Sequence, residues 1–351
     1  MITAIDLFSG AGGMSLGATM AGIEIIAAVE SDKYASRTYS HNHPATRVIN
    51  ADIKDVDDDT LNAMGEVRLL FGGPPCQGFS TSNQKTRNSQ NKSNWLFLEF
   101  LRVAKTLKPE WLIFENVAGL LETEKGRFLR EIIESLHNVG YTCSWWILNG
   151  TDFGIPQKRR RLFIVGSLQQ KEIQSPKANS GQRVNVIDAI GDLPDLPNGS
   201  RYDFLPYKCA PNSKYAEKMR GTLVSCNNHN VTRNSNSIIE RYKHVPQGGN
   251  WENIPESLML NYKERSRCHT GIYRRLRADE PSVVIGNFRK NMLIHPTQHR
   301  GLSVREAARL QSFPDNYQFK GSIGFQQQQV GNAVPPLMAK AVFQTIIERS
   351  K

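Results

Sequence analysis

The sequence predicts an α/β fold: a mainly parallel sheet with helices on both faces, joined to a second, smaller, loop-rich domain. Three observations lead there. Apolar runs of strand length alternate with helically spaced segments through the first half of the chain. Glycine-rich turns and lone carboxylates fall where those apolar runs end, which is where open α/β sheets hold ligands. After Gly166 the rhythm gives way to a stretch rich in Asn, Ser, Pro and Gly.

Taken in order, Ile2 to Phe8 reads as a strand and Met14 to Ala21 as a short helix. Ile23 to Val29 is a second strand, Lys33 to His41 a second helix, and Val48-Ile49 a short apolar stretch. Val67 to Phe71 forms the next strand. Trp95 to Leu107 carries Leu96, Phe97, Phe100, Leu101 and Ala104 at helical spacing. Trp111 to Phe114 is a strand ending at Glu115-Asn116-Val117, Phe128 to Val139 a helix, and Leu162 to Val165 a strand. Residues 167 to 302 form the loop-rich region, with Trp251, Tyr262, Tyr273 and Phe288 available to anchor a small core. Helical pattern returns at Ser303 to Ser312, Gln326 to Gln329 reads as a solvated turn, and Pro335 to Arg349 as the last helix, with two prolines suited to its first turn.

Gly72-Gly73-Pro74-Pro75-Cys76-Gln77-Gly78-Phe79-Ser80 is the most informative segment. The prolines lock φ on the N-terminal side of Cys76, and the glycines allow a sharp turn and close approach to a ligand. A thiol held so at a strand end is a candidate nucleophile; the ordinary alternative is a small buried hydrophobe. The five cysteines include no C-x-x-C pair, and Cys226-Asn227-Asn228-His229 and Cys268-His269 are weak metal signals. The chain carries a formal net charge of +11, with pI near 9.4, which favours a polyanionic partner such as nucleic acid. The strongest basic runs are Lys158 to Arg161 and Lys263 to Arg277. No apolar run of membrane-spanning length and no signal pattern is present, so an intracellular, cytoplasmic protein is expected.

Asp6-Leu7-Phe8-Ser9-Gly10-Ala11-Gly12-Gly13 sits between the first strand and first helix and lacks the full dinucleotide spacing. Glu30 and Asp52 follow successive strands, placed for a ribose diol and an exocyclic amine. In Gln157-Lys158-Arg159-Arg160-Arg161, extended alternation puts Gln157, Arg159 and Arg161 on one face.

Together these segments resemble the DNA cytosine-5 methyltransferase family of the bacterial restriction–modification type. The likeness runs through Phe8 to Gly13, Pro74-Pro75-Cys76-Gln77, Glu115-Asn116-Val117, Gln157/Arg159/Arg161, Arg305-Glu306-Ala307-Ala308-Arg309-Leu310-Gln311 and Gly331-Asn332-Ala333-Val334, in the family's order. It implies a Rossmann-like S-adenosylmethionine-dependent methyltransferase sheet and a target-recognition domain. The expected boundaries are 1–172 with 325–351 for the discontinuous catalytic and cofactor-binding domain, and 173–324 for the target-recognition domain and hinge. The resemblance assigns catalysis to Cys76, Glu115, Arg159 and Arg161. It assigns the S-adenosylmethionine site to Phe8, Gly10, Gly12, Glu30, Asp52, Ile53, Pro74 and Asn332, with no metal. It makes double-stranded DNA the partner, with the target cytosine flipped out of the duplex, a monomeric enzyme, and DNA protection beside a restriction endonuclease as its setting. The loop Ser80 to Ser93, with Lys85, Arg87 and Lys92, resembles the family's mobile loop. An RNA cytosine-5 methyltransferase and a catalytically silent DNA-binding regulator are the alternatives.

Overall fold

The computed structural model describes residues 1–75, 96–122, 126–179, 181, 183–202, 204–260, 270–286, 288–290 and 292–350. Cys76 and the loop Ser80 to Ser93 lie outside the described residues, as do Tyr262 and the Cys268-His269 pair. The chain divides into two compact units. The first comprises Met1–Phe153, Arg160–Asn179 and Val334–Lys351; the second comprises Gly154–Arg159 and Ser180–Ala333.

A seven-stranded sheet forms the first unit: β1 (Thr3–Leu7), β2 (Glu24–Val29), β3 (Arg47–Ile49), β4 (Leu69–Gly72), β5 (Trp111–Val117), β6 (Thr142–Asn149) and β7 (Arg160–Ser167). Its order is β3-β2-β1-β4-β5-β7-β6. Strands β1 to β5 run parallel, and β7 is antiparallel to both of its neighbours. The order reverses between β1 and β4, which makes their carboxyl ends the place where such a sheet opens a crevice. Helices α1 (Gly13–Met20), α2 (Lys33–Asn42), α3 (Asp58–Asn62), α4 (Leu96–Leu107) and α5 (Arg127–His137) belong to this unit.

Alternation along each strand sends side chains to two faces. Ile5, Leu7, Val29, Leu70, Leu112, Phe114 and Ile164 join one apolar cluster with Phe97 and Phe100 of α4 and with Leu129, Ile132 and Leu136 of α5. Phe114 meets Phe97 and Phe100 edge-on, each at 5.6 Å between ring centroids. On the other face, Phe71 meets Phe343 at 4.9 Å. Phe343 lies on the C-terminal helix Pro336–Ser350, which therefore packs in the first unit although it follows the whole second unit in sequence.

Short elements joined by long loops make up the second unit: α6 (Val186–Ile190), β8 (Phe204–Pro206), α7 (Lys214–Arg220), β9 (Ser225–Asn227), α8 (Asn236–His244), α9 (Val304–Leu310) and α10 (Ile323–Asn332); the C-terminal helix is α11. Strands β8 and β9 pair antiparallel. Irregular backbone leaves carbonyls without ladder partners, and buried arginine forks accept that role. The Arg275 guanidinium donates to the carbonyls of Tyr242, Val245, His295 and Gln298. Arg305 donates to those of Asn227, Pro314 and Tyr317. Arg309 is buried between Asp192 and Asp315.

Several sequence expectations are corrected here. Strand β5 continues through Val117, so Glu115 lies within the strand rather than after it. Strand β6 was not anticipated; Cys143-Ser144-Trp145-Trp146 masks its alternation, and all but Leu148 are incompletely buried because β6 is an edge strand. Gln326 to Gln329 is no solvated turn. It lies in α10, where Gln326, Gln327 and Gln329 are buried and their amides donate to Gly321 O, Thr232 Oγ1 and Lys320 O. The unit boundaries fall at 179/180 and 333/334 rather than 172/173 and 324/325, and residues 154–159 join the second unit. Helix α10 stays there because Gly331 packs so tightly on Gly286 that a Cβ would lie 2.1 Å from its carbonyl oxygen.

Candidate active site

The turn after β1 is built from backbone conformations that L residues seldom adopt. Phe8, Gly10 and Gly12 have φ of 57°, 54° and 84°. The left-handed residues fold the chain back so that Gly12 N–H reaches Ser9 O at 2.9 Å, while Ser9 N–H reaches Val29 O of the neighbouring strand. Glu30, just past β2, accepts from Gly10 N–H and Asp32 N–H, both at 2.7 Å. Burial pushes its carboxyl above the ordinary range, and the two amide donors oppose that. A partly buried carboxylate beside a glycine turn is an acceptor that suits a diol or a cationic ligand.

Below that turn lies a polar chain that sequence reasoning did not single out. Asp6 sits in β1 between Ile5 and Leu7 and is buried. Ser15 Oγ donates to Asp6 Oδ2 at 2.6 Å and lies 2.6 Å from the Tyr39 hydroxyl. Burial drives the Asp6 carboxyl well upward, Ser15 lowers it in part, and Glu30 adds to the rise. An acid at a core position of an apolar strand was the available signal, since such a group is retained only with partners.

Asp52 is exposed at the start of the three-residue 3₁₀ turn Ile53–Asp55, which it caps through Lys54 N–H at 3.1 Å. Ile53 points into the core cluster, so its backbone is what it can offer a ligand.

Two glycines bring the ends of β4 and β5 together. A Cβ at Gly72 would lie 2.2 Å from Leu7 O, and one at Gly73 would lie 2.7 Å from Glu115 Oε2. Pro74 is buried, and its carbonyl accepts from Asn116 Nδ2 at 3.1 Å. The segment entering Cys76 is thus fixed to β5 up to Pro74. In the β5–β7 ladder Glu115 pairs with Phe163 and Val117 with Arg161, which makes Glu115 and Arg161 diagonal neighbours on one face. Arg161 Nε lies 3.0 Å from Glu115 Oε1, with side chains 13% and 10% exposed. Burial lowers the Arg161 guanidinium and the Glu115 charge opposes this.

Not every predicted site residue falls in this unit. Gln157, Arg159 and Asn332 belong to the second. The predicted alternation from Gln157 to Arg161 is visible in burial, with Lys158 and Arg160 exposed. Arg159, however, is buried and donates to the carbonyls of Ile285, Gly331 and Ala333. Those three bonds make it a clamp on backbone. Gln157 is similarly occupied with Leu310 O, Gln311 Oε1 and Ile285 N–H. Asn332 closes α10 and is exposed. His229 has both ring nitrogens engaged, with Ser303 Oγ and Pro194 O at 2.8 Å each, which removes the Cys226/His229 pair as a metal site.

Comparison with known proteins identifies the family. The family model for C-5 cytosine-specific DNA methylase matches residues 2–348. The chain is 36% identical over 366 residues to the type II methyltransferase M.DdeI of Desulfomicrobium norvegicum, covering 97% of this chain and 88% of that protein. It is 37% identical over 352 residues to M1.HphI of Haemophilus parahaemolyticus, covering 99% and 87%. A crystal structure described as a DNA modification methyltransferase encoded within an E. coli prophage superposes with a TM-score of 0.81 at 25% identity, covering 99% of both chains.

Proposed function

The chain belongs to the C-5 cytosine-specific DNA methylase family, and from that premise we propose that Cys76, Glu115 and Arg161 carry its chemistry. It is a DNA (cytosine-5-)-methyltransferase with S-adenosylmethionine as methyl donor. The donor supplies, when bound, a methyl group made electrophilic by a sulfonium. Phe8, Gly10, Gly12, Glu30, Asp52, Ile53 and Pro74 would hold it: the left-handed turn, the paired Glu30 carboxylate and the exposed Asp52 fit a ligand with a diol, an amine and a positive charge.

The protein's own task is to make cytosine C5 nucleophilic. Addition of the Cys76 thiolate to C6 breaks the ring's aromaticity and leaves C5 enamine-like; later loss of the C5 proton expels the thiolate. Glu115 holds the ring N3 and exocyclic amine as charge develops, and Arg161 faces O2 while fixing Glu115. The single observation carrying this reading is the Glu115–Arg161 pair at 3.0 Å on a rigid ladder. Asn116, the next residue of that ladder, holds the carbonyl of Pro74, two residues before Cys76. Arg159 is assigned to structure, and Asn332 stays a proposed cofactor contact from the family likeness alone. The base must leave the duplex to reach such a site.

The second unit is proposed to read the target. DNA protection beside a restriction endonuclease is proposed in line with the type II methyltransferase names of the relatives; a monomeric enzyme in the cytoplasm is proposed from the family likeness alone. Among the described residues no helix is long and apolar enough to cross a membrane. Methyl transfer measured side by side on duplex DNA and transfer RNA tests the substrate: label is expected on DNA, and activity confined to RNA would overturn the reading. Glu115→Gln is expected to lower the rate on DNA by about 10²–10⁴-fold, the usual worth of a positioned proton-handling group.

A further inference from the structure

We propose that Arg102 is a positioning residue for the cofactor site, acting through the turn that carries Asp52 and Ile53. The proposal rests on the assignment of that turn to S-adenosylmethionine. The turn Ile53–Asp55 has three residues, and its own backbone supplies only Asp55 N–H to Asp52 O and Val56 N–H to Ile53 O. Its carbonyls at Ile53 and Val56 both accept from Arg102 Nη2 at 3.0 Å. The same guanidinium reaches Asp58 Oδ1 through Nη1 at 2.6 Å and Glu99 Oε2 through Nε at 2.9 Å. Asp58 opens α3, directly after the turn, and Glu99 precedes Arg102 by one turn of α4. One planar fork thus joins α4, the turn and the next helix. Lysine, with a single charged nitrogen, cannot reproduce it.

The anchor for this fork is firm. Phe100, Leu101, Val103 and Ala104 of α4 are buried in the core. Ile53 and Val56 insert their side chains into the same core, so their carbonyls face Arg102 while Asp52 faces solvent. Without the fork the turn retains its apolar contacts and its Asp52 cap, but the direction of the Asp52 carboxylate is no longer set from α4. The expected consequence is weaker cofactor binding with the fold intact.

The test uses the full chain and S-adenosylhomocysteine as the probe, with affinity measured by calorimetry for Arg102→Ala, Arg102→Lys, Asp52→Ala and the Asp52→Ala/Arg102→Ala pair. Arg102→Ala is expected to weaken binding about tenfold, close to the worth of one hydrogen bond to a charged donor, because the turn keeps its own bonds and apolar contacts. The loss should appear in KM for the cofactor rather than in kcat, and DNA affinity should be unchanged. Arg102→Lys should recover part of it, and the double variant should be no weaker than Asp52→Ala within about twofold, because both act through one turn. If Asp52→Ala weakens binding and neither Arg102 variant does, Arg102 is merely structural and the proposal fails. Additive losses overturn it as well. If Asp52→Ala leaves affinity untouched, the assignment of this turn to the cofactor fails instead. Should Arg102→Ala not fold, Arg102→Lys carries the comparison.

Discussion

Glu115 and Arg161 show how much a single pair of side chains is asked to do. Each is nearly buried, and each is the other's partner. Taking two charges out of water costs several kcal/mol per ion, and their attraction offsets this while both are present. Arg161→Ala is therefore expected to cost about 3–5 kcal/mol of stability, since it breaks a nearly buried ion pair by removing one member. Arg161→Lys should cost less but still lower activity, because the Nη1 contact to Arg160 O is lost. Urea denaturation midpoints measured alongside methyl transfer separate the two effects. The buried arginines correct a sequence-level inference about charge. Arg159 and Arg275 lie in the two strongest basic runs, yet both donate to backbone carbonyls. A run of basic letters does not reveal which guanidinium is clamping a loop, because the loop carbonyls it meets are distant in sequence.

Helix α11 and helix α1 meet through Gly17. A Cβ there would lie 2.6 Å from both Ala339 Cβ and Pro336 O, and 2.8 Å from Lys340 N. Alanine is favoured over glycine within a helix by about 1 kcal/mol. Overpacking against backbone, which cannot rotate away, costs about 1–3 kcal/mol. The second effect should win, so Gly17→Ala is expected to lower stability, with thermal unfolding as the check; a rise in Tm would contradict the packing described. At this scale the sequence was informative where patterns were regular. Strands β1, β2, β4 and β7 and helices α1, α2, α4 and α5 follow from apolar spacing to within a few residues. The legible part of the candidate site was its chain order, with Glu30 and Asp52 after strands; Glu115, expected just past its strand, and Arg161, expected just before one, lie inside β5 and β7. Illegible were the edge strand β6, whose two tryptophans break the expected alternation, and α10, whose glutamines look solvated but are buried with their amides on Gly321 O, Lys320 O and Thr232 Oγ1. Those outcomes depend on tertiary packing, and local spacing carries no record of it.

The molecule as a whole carries buried histidines in both units, which gives its stability a pH dependence. Burial lowers His43 in the first unit to about 4, and His295 in the second to about 4 with Glu306 opposing the fall. Unfolded, each would titrate near 6.5. Between those values the unfolded chain binds more protons than the folded one, so the stability these groups contribute is complete above pH 6.5 and is lost as pH falls towards 4. Asp6 and Glu30, whose carboxyls are pushed up, act in the opposite sense and temper the loss in the first unit. Circular dichroism melts across pH 4 to 7 should show falling Tm on acidification, and His295→Gln should flatten the fall; an unchanged slope would contradict the burial described.

The central claim is that Cys76 attacks a cytosine presented to the Glu115–Arg161 pair, and trapping tests it most directly. Duplex DNA bearing 5-fluorocytosine at methylatable positions, incubated with the protein and S-adenosylmethionine, should give a denaturation-resistant protein–DNA complex, because fluorine at C5 cannot leave as a proton does. The complex should form with the natural sequence and be absent with Cys76→Ser. A complex that persists in Cys76→Ser, or methylated DNA with no complex from the natural protein, would contradict the account.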